Sequence, residues 1–493
     1  MELNTLAEEL TQLRGALAAA HAARAAGQTE SVATAPLYAA HPLLMRREEV
    51  AELRPRAAEP DVQPVFAALV RAQILGGCAP LLDAMQAAFD HEMLKGLDSK
   101  WHFGDTETRI EREADRKQRK LLDQARRRSL ARHEPDFLAA LHRSHTLMVD
   151  RGFGSYAAMC VALWGDHLTA LLEAAEGFLA DTQTRYRALL VPELREAGVF
   201  PDDARHHDMG FLWGGHWGPA SGLPSAIDVL RSTLADLALS PESLPGVTSD
   251  LESRDGKRPG VLVAAVDPPQ DVRLTFSPSD AWTAIPELLA GAGVALALAA
   301  APVEQAATRR TALHPAVTAT WRAVFASLYG NPEWISRHLP GVDGERQQRR
   351  FHLWWLYEVR RLCGAARFAS FLHGPGEPGD KADVYEHYLH QASGARFERD
   401  HYLAHTPWFL EDTQTLRGHL FAARLLDLLE NRCGSAWFTK PEAGALLRDL
   451  WRAGWDRLEP LATVAGVADA DNIWPLTERL EAVLGEFTDE EDD

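Results

Sequence analysis

The stretch from Trp282 to Val303 reads W-T-A-I-P-E-L-L-A-G-A-G-V-A-L-A-L-A-A-A-P-V. From Leu288 onward it has no charged and no large polar side chain, so it lies inside a protein core or a bilayer. This apolar part is shorter than the roughly 18–20 residues that a membrane-spanning helix needs, and Ala and Gly give little drive for insertion. We therefore predict a fully buried core helix, with Pro286 in its first turn, where the missing N–H is tolerated.

The residues immediately before this helix predict a β-hairpin. Val261 to Val266 and Val272 to Phe276 are apolar or β-branched, and Asp267 to Gln270 (D-P-P-Q) has the composition of a turn. Ser279 or Asp280 then offers an N-cap for the helix. The local plan is a hairpin, a cap and a buried helix.

Short blocks in this order, around the hairpin and helix, carry a resemblance to a known family. They are G-F-G-S-Y at Gly152–Tyr156, V-T-A-T-W at Val317–Trp321, N-P-E-W at Asn331–Trp334, Y-L-A with T-P-W-F between Tyr402 and Phe409, and W-F-T-K-P-E-A-G at Trp437–Gly444. The chain resembles the oligoendopeptidase and thimet-oligopeptidase-like zinc metallopeptidases. The resemblance implies a mainly α, zincin-like, two-lobed fold with a small β-hairpin or short sheet beside a central cleft. It divides the chain into an N-terminal helical region, 1–133, and a peptidase-like region, 134–493, with interleaved lobes.

The resemblance also implies that the catalytic site is degenerate. In that family the buried helix carries H-E-A-G-H-A-L-H. Aligned on its A-G pair, this chain has Leu288 and Ala292 at the two His ligands, Leu289 at the general-base Glu, and Ala319 at the third ligand, a Glu on the next helix. A zinc site needs three N or O side-chain ligands and an open position for water. Leu and Ala supply none, so we expect no zinc, no other cofactor and no catalysis at these positions.

The function that follows is that of an inactive homologue, a pseudo-peptidase that binds a peptide or protein in the former substrate cleft. In the resembled family an edge strand of the hairpin pairs with an extended peptide, which is binding by strand addition. The candidate contacts are three hairpin residues and four residues nearer the C-terminus: Val272, Arg273, Leu274, His314, His401, Tyr402 and His405.

Two alternatives remain open at this point. One is an active metal-dependent hydrolase with a relocated site, built from His206, His207, Asp208 and His216 or from His401 and His405. Adjacent histidines point apart on a helix or strand, which weighs against the first set. The other alternative is a structural subunit of a complex, in which side chains such as Trp282 and Trp321 close the cleft.

Composition limits the cellular setting. The 493-residue chain has a net charge of −19, which argues against a nucleic-acid partner. Its four cysteines are scattered and form no C-x-x-C pair, as in a reducing compartment, and the acidic N-terminus lacks the features of a secretory signal. We expect a cytoplasmic protein with no membrane contact. Residues 109–132 are strongly basic, but interleaved Glu and Asp predict a solvated helix face rather than a binding surface.

Overall fold

The structure, a computed structural model, describes residues 2–95, 100–165, 167–218, 224–239, 246–304, 306–311 and 313–487. Over these residues the fold is mainly α, as the sequence predicts, with 20 helices and a few short strands. The first half of the helices comprises α1 (Leu3–Ala25), α2 (Ala35–Ala39), α3 (Arg47–Leu53), α4 (Gln63–His91), α5 (Thr106–Arg112), α6 (Arg116–Asp150), α7 (Tyr156–Trp164), α8 (Leu168–Asp181), α9 (Gln183–Glu196) and α10 (His206–Phe211). The second half comprises α11 (Ala226–Asp236), α12 (Ala284–Ala299), α13 (Pro315–Ala326), α14 (Pro332–His338), α15 (Gly344–Leu372), α16 (Ala382–Ser393), α17 (Glu411–Cys433), α18 (Pro441–Gly454), α19 (Leu458–Ala465) and α20 (Trp474–Leu484).

The strands form two small sheets. A short antiparallel pair joins β1 (Met93–Lys95) to β2 (Lys100–His102). The second sheet contains β3 (Val247–Asp250), β4 (Gly260–Asp267) and β5 (Asp271–Ser277), in the order β3-β5-β4. Strands β4 and β5 are the predicted hairpin, and they pair antiparallel. Strand β3 was not predicted, and it pairs parallel with the other edge of β5.

Helix α12 is the buried helix predicted from the quoted stretch. Every residue from Leu288 to Leu298 is buried. Its glycines allow close contact on two sides, because a Cβ on Gly291 would overlap Val261 of β4, and one on Gly293 would lie 2.5 Å from the Phe325 ring of α13. The predicted N-cap is wrong: the cap position is Thr283, because the chain enters the helix later than Ser279 or Asp280.

Two large hydrophobic cores divide the chain close to residue 170. Apolar residues between Leu6 and Leu168 share one core, joined by Ala369, Phe409 and Leu410. Those from Leu171 to Phe487 share the other. The predicted boundary between residues 133 and 134 falls inside α6, which runs unbroken from Arg116 to Asp150. That boundary is therefore corrected, since a continuous helix does not separate two domains.

The basic run has both a solvated face and a buried one. Lys117, Lys120, Arg128 and Arg132 are exposed, as predicted. Arg119, Asp123 and Arg126 of α6 are buried, which was not predicted, because charges counted along a sequence do not show which face of a helix packs. The i,i+4 pairing is present but long, with Arg127 Nη1 3.8 Å from Asp123 Oδ2.

Helix α4 is the one helix among the described residues that is long and apolar enough to span a membrane by length and composition. Its most apolar 18-residue window has a mean hydropathy of 1.7, and 61% of that window is buried inside the protein. The helix also carries Arg71, which donates to Glu411 of α17 at 2.6 Å. A buried core helix of a soluble protein has these same properties.

Candidate functional site

A cavity of about 700 Å³ is lined by helices from several parts of the chain. Helices α5, α6 and α10 contribute to the lining, as do α12, α13, α15, α16 and α17. The lining includes acidic, basic, histidine and aromatic side chains, among them Glu107, Glu111, Arg126, His207, Trp213, Arg322, Trp354, Tyr357, Arg361 and His419. A cavity with convergent polar and aromatic side chains is a candidate ligand site.

The face of α12 that borders the cavity consists of Thr283, Pro286, Glu287 and Ala290. Leu288, Leu289 and Ala292 instead pack in the larger hydrophobic core, the one that runs from Leu171 to Phe487. The same holds for α13, where Arg322, Ala323 and Ala326 line the cavity. Ala319 is buried against α17, so close that a Cβ on Gly418 would overlap it.

The residues of α12 that face the cavity thus lie two positions before those aligned with the resembled motif, and they suggest a second alignment. Pro286, Glu287 and Ala290 stand at i, i+1 and i+4, which is the spacing of H-E-x-x-H on one helix. In this register the two ligand positions hold Pro and Ala, and the general-base position keeps a carboxylate in Glu287. Neither register gives α12 a histidine.

The carboxylates of this part of the cavity repel one another. Burial raises the pKa of Glu111 to about 7, with Glu287 and Glu107 adding to the effect as like charges. Burial also raises the pKa of Glu287, and the positive charge of Arg322 opposes that rise. Loss of solvent around its guanidinium lowers the pKa of Arg322. An arginine therefore supplies the positive charge beside Glu287.

The hairpin residues proposed to bind a peptide are in the wrong place. Val272, Arg273 and Leu274 belong to β5, the central strand of its sheet, and they pair with β3 on one side and β4 on the other. Val272 and Leu274 are buried in the core, and Arg273 pairs with Asp271 at 2.7 Å. Strand addition to β5 is excluded because both of its edges are occupied at these residues.

His314 and Tyr402 also lie away from the cavity lining. His314 caps α13 by accepting the backbone N–H of Ala316 at 3.2 Å, and its ring packs edge-on against Trp164. Tyr402 is buried in a third, smaller apolar cluster and donates its hydroxyl to Glu134 at 2.8 Å. These contacts explain His314 and Tyr402 as structural residues, without a role in peptide binding.

His401 and His405 stand beside His206 and His207 at one end of the cavity. Nδ1 of His401 lies 3.2 Å from Nε2 of His405, and the His206 ring is centred 5.2 Å from each of the other two rings. Four histidines from two distant parts of the chain thus meet. The sequence offered them as two separate sets, and the fold brings them together.

The fifth member of this group is Asp123 of α6, which sequence reasoning missed. Oδ1 of Asp123 lies 3.8 Å from Nε2 of His401, and Oδ2 lies 3.5 Å from Nδ1 of His207. One ligand atom each from Asp123, His206 and His401 lies within 4.8 Å of the others. The only signal in the sequence was an acidic residue flanked by arginines, which has a common surface explanation.

Three histidines of this group, His206, His401 and His405, have lowered pKa values. Burial lowers the pKa of His206 to about 4, helped by the charge of Arg126. Burial also holds the pKa values of His401 and His405 well below the ordinary range. For Asp123 burial acts to raise the pKa, but the contact with His207 and the positive charge of Arg127 outweigh it and lower the pKa. An ionised carboxylate therefore lies beside three imidazoles, those of His206, His401 and His405, that burial keeps neutral near pH 7.

Solved structures similar to this one are peptidases. A structure of Pz peptidase A with an inhibitor matches 98% of this chain and 86% of its own, with a TM-score of 0.62 and 14% sequence identity. A protein named as an oligoendopeptidase F from Bacillus anthracis matches 88% of this chain and 81% of its own, with a TM-score of 0.64 and 11% identity. The chain has the oligoendopeptidase fold. No protein-family model and no curated protein sequence matches it.

The zinc ion that the oligoendopeptidase fold implies does not fit the cavity face of α12. Pro286 and Ala290 have no atom that can bind a metal, and the guanidinium of Arg322 would repel one. Glu287 alone offers a carboxylate there. A single ligand beside a fixed cation does not hold zinc.

The remaining residues of the relocated-site hypothesis are engaged elsewhere. Asp208 receives hydrogen bonds from Arg116 and Arg119, at 2.9 and 3.2 Å. His216 ends the short π-helical turn that follows α10, with its ring 5.8 Å from that of Phe211. Both are corrected as site candidates, because Asp208 neutralises arginines and His216 is outside the group formed by the other histidines.

Proposed function

We propose that this protein binds a short peptide in the cavity and does not perform zinc-dependent hydrolysis at α12. One observation carries the proposal: a cavity of about 700 Å³ borders a helix face, Thr283, Pro286, Glu287 and Ala290, that has no pair of metal ligands. The volume is within the range of about 300–1,000 Å³ that is usual for ligand sites. A peptidase fold with a cavity but without metal-binding side chains on α12 supports peptide binding without cleavage at this helix.

The charges of the cavity indicate which peptide it prefers. Glu111 has Glu287 and Glu107 as like charges nearby, even though Arg126 pairs with Glu107 and Arg322 lies close to Glu287. A ligand with an amino group would therefore relieve the repulsion at Glu111. Aromatic side chains elsewhere in the lining, including Trp354 and Tyr357, offer apolar surface to the rest of the ligand. We therefore propose a peptide that presents a free N-terminus or a lysine side chain to these carboxylates.

The test pairs a binding measurement with a cleavage measurement. Fluorescently labelled peptides that differ only in Lys against Glu at one position should bind with a preference for Lys, and mass spectrometry should find them intact. Ala290→Phe fills the cavity and should abolish binding. Ala170→Phe, the same change on the exposed surface of α8, should leave binding unchanged. Equal binding by both variants would rule out the cavity as the peptide site.

A second candidate function is metal-dependent hydrolysis at a relocated site. The observation that favours it is the meeting of Asp123, His206 and His401 at the end of the same cavity. In that case peptides would be cleaved, cleavage would stop with a chelator, and Asp123→Asn would abolish it. Such a result would replace the inactive homologue as the proposed function.

A purely structural role is less favoured, because the residues expected to close the cleft do not do so. Trp282 and Trp321 are packed in the larger hydrophobic core. We further propose a cytoplasmic location and no nucleic-acid or membrane partner. The four free cysteines and the net charge of −19 support this.

A further inference from the structure

The group around Asp123 has polar atoms that are buried and lack hydrogen-bond partners among the described residues. They are both carboxylate oxygens of Asp123, Nε2 of His401 and Nδ1 of His207. Buried polar atoms are nearly always paired, and an ionised carboxylate without a partner is especially costly. Nε2 of His401 lies 3.8 Å from Oδ1 of Asp123, and Nδ1 of His207 lies 3.5 Å from Oδ2. The four atoms therefore cluster around one carboxylate, at separations longer than hydrogen bonds, as the ligands of a cation would.

The arginines around this point do not supply the missing charge. Arg116 and Arg119 bind Asp208, Arg126 binds Glu107 at 2.6 Å, and Arg127 binds Asp400 at 2.9 Å. The nearest of them to Asp123 is Arg127, at 3.8 Å, which is too long for a hydrogen bond. The short contacts of all four arginines are thus with carboxylates other than Asp123, with Arg116 and Arg119 sharing Asp208. Asp123 has room for a further cation.

We propose that Asp123, His206 and His401 bind one divalent first-row transition-metal ion, with zinc as the first probe. Two imidazoles and one carboxylate form a ligand set that such ions accept. Asp123 and His206 line the cavity, so the remaining coordination positions face it. The inference is independent of the proposed peptide binding, since it concerns the affinity of the protein for the ion alone.

The geometry needs only small adjustments. Ligand atoms about 3.4 Å apart surround a tetrahedral zinc ion with bonds of about 2.0–2.1 Å. The 3.8 Å between Oδ1 of Asp123 and Nε2 of His401 is close to that spacing. The widest separation among the three ligand atoms is at most 4.8 Å, which rotation of the His206 ring and of the Asp123 carboxylate can close.

His405 and Tyr385 provide the outer contacts that a metal-bound histidine requires. When Nε2 of His401 holds the ion, its Nδ1 carries the proton and can donate to Nε2 of His405 at 3.2 Å. Nδ1 of His405 in turn lies 2.9 Å from the hydroxyl of Tyr385. Nη1 of Arg126 lies 3.2 Å from the same Nδ1 and must turn away from it once that nitrogen is protonated, while Arg126 keeps its ion pair with Glu107. His405 is therefore a positioning residue rather than a ligand.

The experiment is a metal titration of the full-length protein. Protein stripped with a chelator is titrated with Zn²⁺ by calorimetry, and separately with Co²⁺, whose visible absorption reports the ligands. We expect one tightly bound equivalent of each ion and a rise in melting temperature with zinc. Absence of a stoichiometric site for either ion would overturn the proposal.

Variants then assign the site. Asp123→Asn and His206→Gln should each weaken zinc binding by at least about 100-fold and change the cobalt spectrum. His405→Gln should weaken zinc binding by about 10–100-fold, as loss of an outer contact does, with the Co²⁺ ligand count preserved. His216→Gln changes a half-buried histidine outside the group, so it is the matched control and should bind zinc as the parent does.

Folding of each variant is checked by its melting temperature without metal. His206 is only partly buried, so its variant remains informative even if a change at the fully buried His401 unfolds the protein. If folded Asp123→Asn and His206→Gln proteins bind zinc as tightly as the parent, the proposed ligands are wrong.

Discussion

Arg119 of α6 donates to Asp208 of α10 at 3.2 Å, and both side chains are shielded from water, with 1% and 0% of their surfaces exposed. Arg116 makes a second ion pair with the same carboxylate at 2.9 Å. This cluster fixes the helix that carries Asp123 against the helix that begins at His206. The position of the histidine group therefore depends on a buried ion pair that takes no part in it.

Removing that carboxylate should destabilise the protein strongly. Asp208→Asn leaves Arg119 buried without a counter-charge, and a broken buried pair typically costs about 3–5 kcal/mol. Denaturant unfolding measures the loss. The control is Asp202→Asn, whose ion pair with Arg187 is exposed (91% and 67%) and should change stability by less than about 1 kcal/mol. Similar losses in the two variants would contradict a special role for Asp208.

The register of the degenerate motif can be tested by rebuilding it. Pro286→His, Ala290→His and Arg322→Glu together place three ligands on the cavity faces of α12 and α13, beside Glu287. We expect this variant to bind one zinc equivalent more than the parent. The alternative set, Leu288→His, Ala292→His and Ala319→Glu, buries the new polar groups in the core and should cost several kcal/mol of stability. A gain of zinc by the second set alone would restore the original alignment.

The raised pKa of Glu111, about 7, predicts a pH-dependent stability. The folded state holds the proton more tightly than the unfolded state, whose pKa is near 4.5, so stability falls as pH rises from about 4.5 to about 7. Glu111→Gln removes that dependence and should be more stable than the parent above pH 7 by about 1–2 kcal/mol, after allowance for partial exposure. Below pH 4.5 the advantage should vanish. Glu176→Gln, at an exposed site, should show a flat difference across the same range.

Two glycines in helices should respond in opposite directions to the same change. Gly293→Ala places a methyl group 2.5 Å from the Phe325 ring and 2.8 Å from the carbonyl oxygen of Trp321, and overpacking of this kind costs about 1–3 kcal/mol. Gly177 of α8 has nothing within 4 Å of a new Cβ, so Gly177→Ala should gain about 0.5–1 kcal/mol from helix propensity. Thermal unfolding of both variants decides the matter, and a neutral Gly293→Ala would show that α12 is less tightly packed than described.

The elements that could be predicted from the sequence are those with local signals. The apolar run after Leu288 and the β-branched segments on either side of the D-P-P-Q turn each determine their own structure, and the structure confirms both. Strand β3, with the sequence V-T-S-D, has no such signal because it is short and polar. Its pairing with β5 depends on tertiary contacts. Strand β3 occupies the edge of β5 to which a peptide strand was expected to add.

The candidate site was harder to predict, because its members come from three distant segments. His401 and His405 were found as a spaced pair, and His206 and His207 as an adjacent pair, but nothing local says that the two pairs meet. Asp123 was hidden among arginines whose partners, Asp208, Asp400 and Glu107, lie far away along the chain or on another helix. Which face of α6 is buried depends on the packing of α10 and of residues 399–405.

Helix α6 has a mechanical consequence for the histidine group. Its 35 residues extend for about 52 Å, with Asp123 in its first third and Leu147 and Met148 anchored in the smaller core near its other end. Helix α6 thus connects the Asp123 carboxylate to the packing contacts with α4 and α7, which lie well away from the cavity. A shift of α6 along its axis by a fraction of a turn would move Asp123 out of reach of His401. The affinity for an ion at this group therefore depends on the stability of the smaller core, formed by the first 168 residues.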